Sequence, residues 1–421
     1  MIWTTSDLST PPGAADLLWP ALSAPFHGDL PVRLRAWDGS EIGPPGRPTL
    51  ILHDRKALRR ILWQPGELGM ARAYVTGELD VDGDLTECLR LVWQAARAHG
   101  LTGGKLSAGG WMTALRAAAR FGLVGPPPGP PASEARISGR PRSRNRDQAI
   151  IAHHYDVPAE FYQLILGPQM AQSAAFWAPS CRTLADAQLA KLDLICAKLR
   201  LEPGMQLLDV GCGWGALAIH AAQNYGAQVT AITTAPGQAA FVADRAAKLG
   251  LGSQLTVREQ HYREITGPPQ DAVASTEMGE HLGNADYPAF CGLLRGQLRP
   301  GGRLLIQQML LIQQMSRGSR APGGGAFIER YIAPDLHMRP VGETICLLEQ
   351  AGFEISSLQA MRQDYAKTIR VWQLNLERRW DQAVAILGLE SARVWRLYLA
   401  CGALAFEECR MDVHQILAAP R

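Results

Sequence analysis

The residues best placed to do chemistry begin with a glycine-rich turn. Gly211, Gly213 and Gly215 follow the apolar run MQLLDV (205–210) and open ALAIHAAQNYG, which reads as a helix. Residues without a Cβ let the backbone approach a ligand closely, and the helix start leaves amide donors free. The spacing is G-x-G-x-G, not the G-x-G-x-x-G of most dinucleotide sites, and Asp209 sits on the strand just before it. After the next strand come Thr233, Thr234 and Gln238, whose hydroxyls and amide suit a diol. His261-Tyr262 follow a third strand and offer a ring for stacking on a flat ligand. Glu280-His281, in TEMGEHLG (276–283), follow a fourth strand, at the edge of an open sheet where ligands bind. A histidine with an ordinary pKa of about 6.5 suits proton acceptance. Packing or helix capping is an equal alternative for His281. The eight cysteines form no CxxC pair and none has zinc-ligand spacing, so no metal site is expected.

The elements that must hold these residues alternate. LADAQLAKLDLICAKLRL (from Leu184) reads as a helix, and strands at 205–210, 227–233, 255–260, 271–278 and 303–310 are interleaved with helices at 216–226, 235–250 and 287–298. Such alternation predicts parallel pairing in a doubly wound α/β sheet, with further helices from about residue 340. Before it, residues 1–121 mix short strands (Pro31 and Arg47 onward) with helices (Lys56, Leu68, Asp84 and around 111–121), a smaller N-terminal α+β domain. Residues 122–148 are rich in proline and glycine and read as a linker, leaving 149–421 for the catalytic domain.

The loop LLDVGCGWG resembles the nucleotide loop of class I S-adenosylmethionine-dependent methyltransferases. The resemblance implies S-adenosylmethionine as cofactor, bound by Asp209, Gly211, Gly213, Gly215, Thr233, Thr234, Gln238, His261 and Tyr262. The segments 153–171, 276–283, 326–335 and 364–372, with 66–85 in the N-terminal part, are together similar to the cyclopropane-fatty-acyl-phospholipid synthase family. That family methylates a carbon–carbon double bond of a phospholipid acyl chain and deprotonates the resulting carbocation. Its base is bicarbonate, held by a cysteine, a glutamate, a histidine and a tyrosine. Carried over by motif, the glutamate is Glu280 and the tyrosine is Tyr365. The cysteine position reads Ala174, within Gln172-Ser173-Ala174, and the histidine position reads Gln307. Ser173 stays on the cofactor side, and Gln307 can still donate to an anion. Whether bicarbonate binds, and whether the product is a cyclopropane or a methyl- or methylene-branched chain, is left open. His153 and His154 would line the substrate entrance or simply pack. Cys212, Trp372 and Trp380 are expected to pack.

The chain has 421 residues, 42 Lys+Arg and 39 Asp+Glu, a net +3. That balance disfavours a nucleic-acid wrapper, and Thr276-Glu277-Met278-Gly279 lacks the Asp/Asn-Pro-Pro-aromatic motif of amino-methylating relatives. No run is long and apolar enough for a membrane span, and MIWTTSDLSTPP lacks a signal peptide's features. The expectation is a cytoplasmic protein, peripheral on the inner membrane surface, contacting phospholipid through Arg136, Arg140, Arg142, Arg144 and Arg146. A homodimer and a partner reductase or oxidase fit that picture. The rival readings are a C-methyltransferase of a soluble unsaturated molecule such as an isoprenoid, and a lipid-binding protein that has lost catalysis.

Overall fold

The computed structural model describes residues 12–100, 125–135, 157–312, 325–334 and 336–421. The helix expected around 111–121, the arginines at 136–146 and His153-His154 lie outside them. The chain divides into two units, Met1–Glu134 and Ala135–Arg421.

In the first unit, α1 (Ala14–Ser23) precedes β1 (Arg33–Arg35), β2 (Glu41–Ile42) and β3 (Thr49–Leu52). Then come α2 (Lys56–Trp63), α3 (Glu67–Val75), β4 (Leu79–Asp82) and α4 (Leu85–Ala98). The strands form one sheet in the order β2-β1-β3-β4. The helix expected from Leu68 stops at Val75, because Gly77 turns the chain with φ +75° and Leu79 then pairs with Leu52. Asp84 caps α4 by accepting from the amides of Thr86 and Glu87. Residues 125–134, expected in the linker, do not hang free. Arg60 Nη1 donates to the Gly129 carbonyl at 2.8 Å, and Arg72 makes a two-pronged ion pair with Glu134, 2.7 Å on each arm. Such a forked, charge-assisted pair is stronger and more directional than a single neutral hydrogen bond, and Glu134 is buried.

The second unit runs α5 (Ala159–Leu166), α6 (Leu184–Leu199), β5 (Gln206–Val210), α7 (Ala216–Tyr225), β6 (Gln228–Thr233), α8 (Pro236–Lys248), β7 (Leu255–Glu259), β8 (Gln270–Thr276), α9 (Tyr287–Gly296) and β9 (Leu298–Leu311). It continues with α10 (Ala326–Tyr331), α11 (Val341–Gln350), β10 (Phe353–Ala360), α12 (Arg362–Arg378), α13 (Trp380–Leu387), α14 (Leu389–Glu407) and β11 (Met411–Pro420). The seven strands are ordered β10-β11-β9-β8-β5-β6-β7. β5 to β9 pair in parallel, as the alternation predicts. The C-terminal stretch supplies the expected further helices and also two strands that were not expected: β10 and β11 join the sheet, and β11 lies antiparallel between β9 and β10. β5 has β6 on one side and β8 on the other, so the strand order reverses at the glycine loop, where open sheets take ligands.

Side-chain alternation along the strands sorts two cores. Leu207 of β5 and Leu305 of β9 pack with α6, α7 and α8. Leu208, Val210 and Ile306 pack with α9 and Leu348 of α11. Asp209 therefore shares its face with Leu207, under α6. Gln307 shares the face of Leu305, whereas Gln308 belongs to the α9 side and accepts from Tyr287 Oη at 2.7 Å. A third cluster joins α5 to α12, α13 and α14, and it includes Trp372 and Trp214. α6 begins at a reciprocal cap in which Thr183 accepts from the Asp186 amide and Asp186 from the Thr183 amide.

Candidate active site

At the end of β8 the chain leaves the sheet through Glu277, a non-glycine residue at φ +54°. Such a left-handed conformation costs an L-residue about 1 kcal/mol and must be held by its surroundings. The Glu277 amide donates to the Gln307 carbonyl at 2.6 Å. Its carboxylate accepts from the Ala174 amide at 2.8 Å and Gln307 Nε2 at 3.1 Å, both on Oε1, and from Tyr365 Oη at 2.7 Å on Oε2.

Each donor is positioned from elsewhere. Thr368 Oγ1, on α12, accepts from the Ala175 amide at 3.2 Å and Trp177 Nε1 at 3.1 Å, while Asp364 accepts from the Trp177 amide at 2.7 Å. These contacts pin the segment that presents the Ala174 amide. Gln307 is oriented through β11, where Lys198 Nζ donates to Gln415 Oε1 at 2.7 Å and Gln415 Nε2 donates to Gln307 Oε1 at 2.9 Å. A lysine can only donate, so it fixes both amides and turns Gln307 Nε2 toward Glu277. Tyr365 is buried against Phe406 with ring centroids 4.6 Å apart, and burial beside Glu277 holds its hydroxyl protonated, well above the usual phenol range.

Glu280 stands one turn further on, fully buried, and neither carboxylate oxygen has a side-chain or backbone partner at hydrogen-bonding geometry. Burial, then the neighbouring Glu277, pushes its pKa up to about 8, opposed by the nearby amides of Glu280 and Met309 and by Arg339. Burial also raises Glu277, against its three donors. Donors favour the charged form, and Glu277 has three of them at hydrogen-bonding distance where Glu280 has none. Arg339 supports the turn carrying Glu280: its guanidinium donates to the Leu282 carbonyl at 2.7 Å and lies 3.9 Å above the Tyr287 ring.

Lys191, on the buried face of α6, donates to Ser173 Oγ at 2.9 Å. Burial brings its pKa down to about 8, opposed by Glu277 and Asp209. Asp209 is pushed up to about 7 by burial, countered by Lys191 and the Ala218 amide. Ser173, expected on the cofactor side, is thus tied to Lys191.

Of the remaining expected residues, Thr233 Oγ1 donates to Gln238 Oε1 at 2.9 Å, both buried, while Thr234 is half-buried beside them. His261 and Tyr262 stack with centroids 4.6 Å apart, and Tyr262 is buried against Phe290. His281 is exposed and is not brought into the carboxylate cluster, so the structure gives it no geometry for taking a proton there. Cys212 is buried and its thiol is held protonated by burial, as packing requires. Glu277, Lys191, Arg339 and Gln415 escaped the sequence reading. Lys191 carried a signal: it is a cation on the stripe Leu184, Ala187, Leu192, Ile195, at helical spacing.

The model of the mycolic acid cyclopropane synthetase family matches residues 142–416. The chain belongs to that family. The Mycobacterium tuberculosis protein named "Probable fatty acid methyltransferase Rv3720" is 35% identical over 402 residues, 93% of this chain and 91% of that one. The cyclopropane synthase MmaA2 of the same organism superposes with a TM-score of 0.61 at 29% identity, covering 64% of this chain and 97% of its own. Mycolic acid cyclopropane synthase CmaA1, solved with S-adenosylhomocysteine and CTAB, gives the same TM-score, identity and coverage. This member of the cyclopropane synthetase family is therefore a class I, S-adenosylmethionine-dependent methyltransferase.

The site fits that cofactor. Asp209 Oδ2, Gln238 Nε2 and Thr276 Oγ1 are buried without a hydrogen-bond partner, a cost of about 1–3 kcal/mol each that a polar ligand would remove. A Cβ on Gly213 would meet nothing within 4 Å, whereas Gly215 lies against Val242. The loop 211–215, Asp209 and Gln238 would hold the cofactor, which supplies an electrophilic methyl group. Bicarbonate does not fit. The donors of Ala174, Gln307 and Tyr365 are occupied by Glu277, and an added anion would stand beside two carboxyl groups.

Proposed function

We propose that the enzyme transfers a methyl group from S-adenosylmethionine to the double bond of an unsaturated phospholipid acyl chain. The product is then a cyclopropane, a methylene-branched chain or a methyl-branched alkene. The observation that carries this reading is a cleft of about 900 Å³ beside the 170–177 segment, within the roughly 300–1,000 Å³ of ligand pockets. Met170, Trp177, Phe241, Val371 and Leu374 give it apolar walls. Arg182, Arg245, Lys248, Arg378 and Arg379 also line it, against Asp244. Apolar walls suit an acyl chain and the cations suit a phosphate headgroup. The segment that borders this cleft also presents the Ala174 amide to Glu277.

An alkene is a weak nucleophile, so the site must hold it close to the electrophilic methyl and keep water from the cation that follows. Buried aromatic residues around Tyr365 and the α5–α14 core would keep water out, and an ionised Glu277 would offset positive charge. No described helix is long and apolar enough to cross a membrane, so access to lipid is by contact at the membrane surface, to which the arginines of 136–146 would add. The names of the relatives, fatty acid methyltransferase and cyclopropane synthase, support the acyl chain as substrate. Fatty-acid analysis of cells expressing the chain and supplied with methyl-labelled methionine tests this. Label in acyl chains is expected. Label in isoprenoids alone would favour the soluble-substrate reading.

A further inference from the structure

We infer that Glu277 is the enzyme's own proton acceptor, a resident carboxylate that takes the place of a dissociable bicarbonate. The inference rests on the acyl-alkene reading for its substrate and on the geometry alone for the base. The positions that the family resemblance gives to an anion's ligands, at 174, 307 and 365, converge on a carboxylate, and it belongs to the chain. Both Glu277 oxygens are engaged by donors that favour its ionised form. Glu280 is fully enclosed and has no donor at hydrogen-bonding geometry, whereas Glu277 is half-buried.

The step balances without a co-reactant. The alkene π pair forms the new carbon–carbon bond to the methyl group as the methyl–sulfur bond breaks, its electrons staying on sulfur. A C–H pair of the transferred methyl then closes the ring, or one on a carbon next to the cationic carbon forms a new double bond. The proton passes to a Glu277 carboxylate oxygen and later to solvent, leaving S-adenosylhomocysteine and the alkylated lipid.

The test compares wild type with Glu277→Gly and Glu277→Gln. Position 277 already has φ +54°, which glycine adopts without strain, so Glu277→Gly should fold; calorimetric binding of S-adenosylmethionine checks both variants. Two readouts are needed. In bicarbonate-depleted buffer, wild type should methylate unsaturated phospholipid vesicles at its full rate. Both variants should fall by ~10²–10⁴-fold, the usual contribution of a general base. Added bicarbonate or formate should restore Glu277→Gly but not Glu277→Gln. Independently of turnover, ¹³C-bicarbonate should show line broadening with Glu277→Gly and none with wild type. Loss of wild-type turnover on bicarbonate depletion, specific bicarbonate binding to wild type, or near-normal rates in Glu277→Gln would each overturn the inference. If wild type labels no acyl chain in any buffer, the substrate reading fails instead. The bicarbonate-binding comparison then still decides the role of Glu277.

Discussion

Tyr365 Oη donates to Glu277 Oε2 at 2.7 Å, linking α12 to the exit of β8. A hydrogen bond to a charged group contributes roughly 1.5–3 kcal/mol, and this one favours the ionised carboxylate. Tyr365→Phe should therefore raise the Glu277 pKa further. The acid limb of the pH–rate profile should move to higher pH by ~1 unit or more, with S-adenosylmethionine affinity little changed. An unshifted profile would remove Tyr365 from the control of Glu277.

Gln307 and Ala174 stand where the resemblance expects histidine and cysteine, and restoring those two residues alone leaves Glu277 in the space. Ala174→Cys with Gln307→His should still bind no bicarbonate. Adding Glu277→Gly should create bicarbonate binding and bicarbonate-dependent turnover, read by titration with the labelled ion. Binding by the double variant would show that Glu277 does not fill the anion position.

Glu280 titrates near 8 in the fold against an ordinary value of 4.5. Between those values the folded state keeps a proton that the unfolded chain has released, so this group's contribution to stability falls as pH rises from about 4.5 to about 8 and is level above. Glu280→Gln lacks that penalty. Relative to wild type it should gain stability steadily across the window, by ~2 kcal/mol or more at its upper end. Lys191, depressed to about 8, changes stability only above that pH and does not mask the effect. Denaturant midpoints at pH 5.5 and 8 measure it, and a pH-independent difference would refute it.

Gly213 and Gly215 should respond differently to added side chains. A Cβ at Gly215 would come within 2.6 Å of Val242 Cγ1, whereas at Gly213 it meets open space. Gly215→Leu should lower the melting temperature sharply. Gly213→Leu, paying mainly the ~1–2 kcal/mol of a left-handed L-residue, should stay folded yet lose S-adenosylmethionine binding by calorimetry. Retained binding would move the cofactor away from this loop.

Local pattern made much of this readable. The buried strand before Gly211, the alternating helices and the positions of Glu280, Gln307 and Tyr365 follow from apolar runs and short motifs. β10 and β11 were hidden because β10 is mostly exposed and polar, FEISSLQA, while β11 buries His414 and Gln415 in its middle. Their pairing partners lie far away in sequence, so no local period marks them. Glu277 was hidden for a related reason. An acid at a strand's end reads as solvated until Ala174, Gln307 and Tyr365 are brought to it from distant segments. The buried Lys191 was visible as a charge on an apolar stripe, but its Ser173 partner was not.

The most direct measurement combines the purified chain, vesicles of a monounsaturated phospholipid and S-adenosylmethionine carrying a fully deuterated methyl group, with mass spectrometry of the released fatty acids. Acyl chains one carbon heavier are expected: three retained deuteriums mark a methyl branch, two a methylene or a ring. Binding of S-adenosylmethionine with no labelled acyl chain would contradict methyl transfer to lipid.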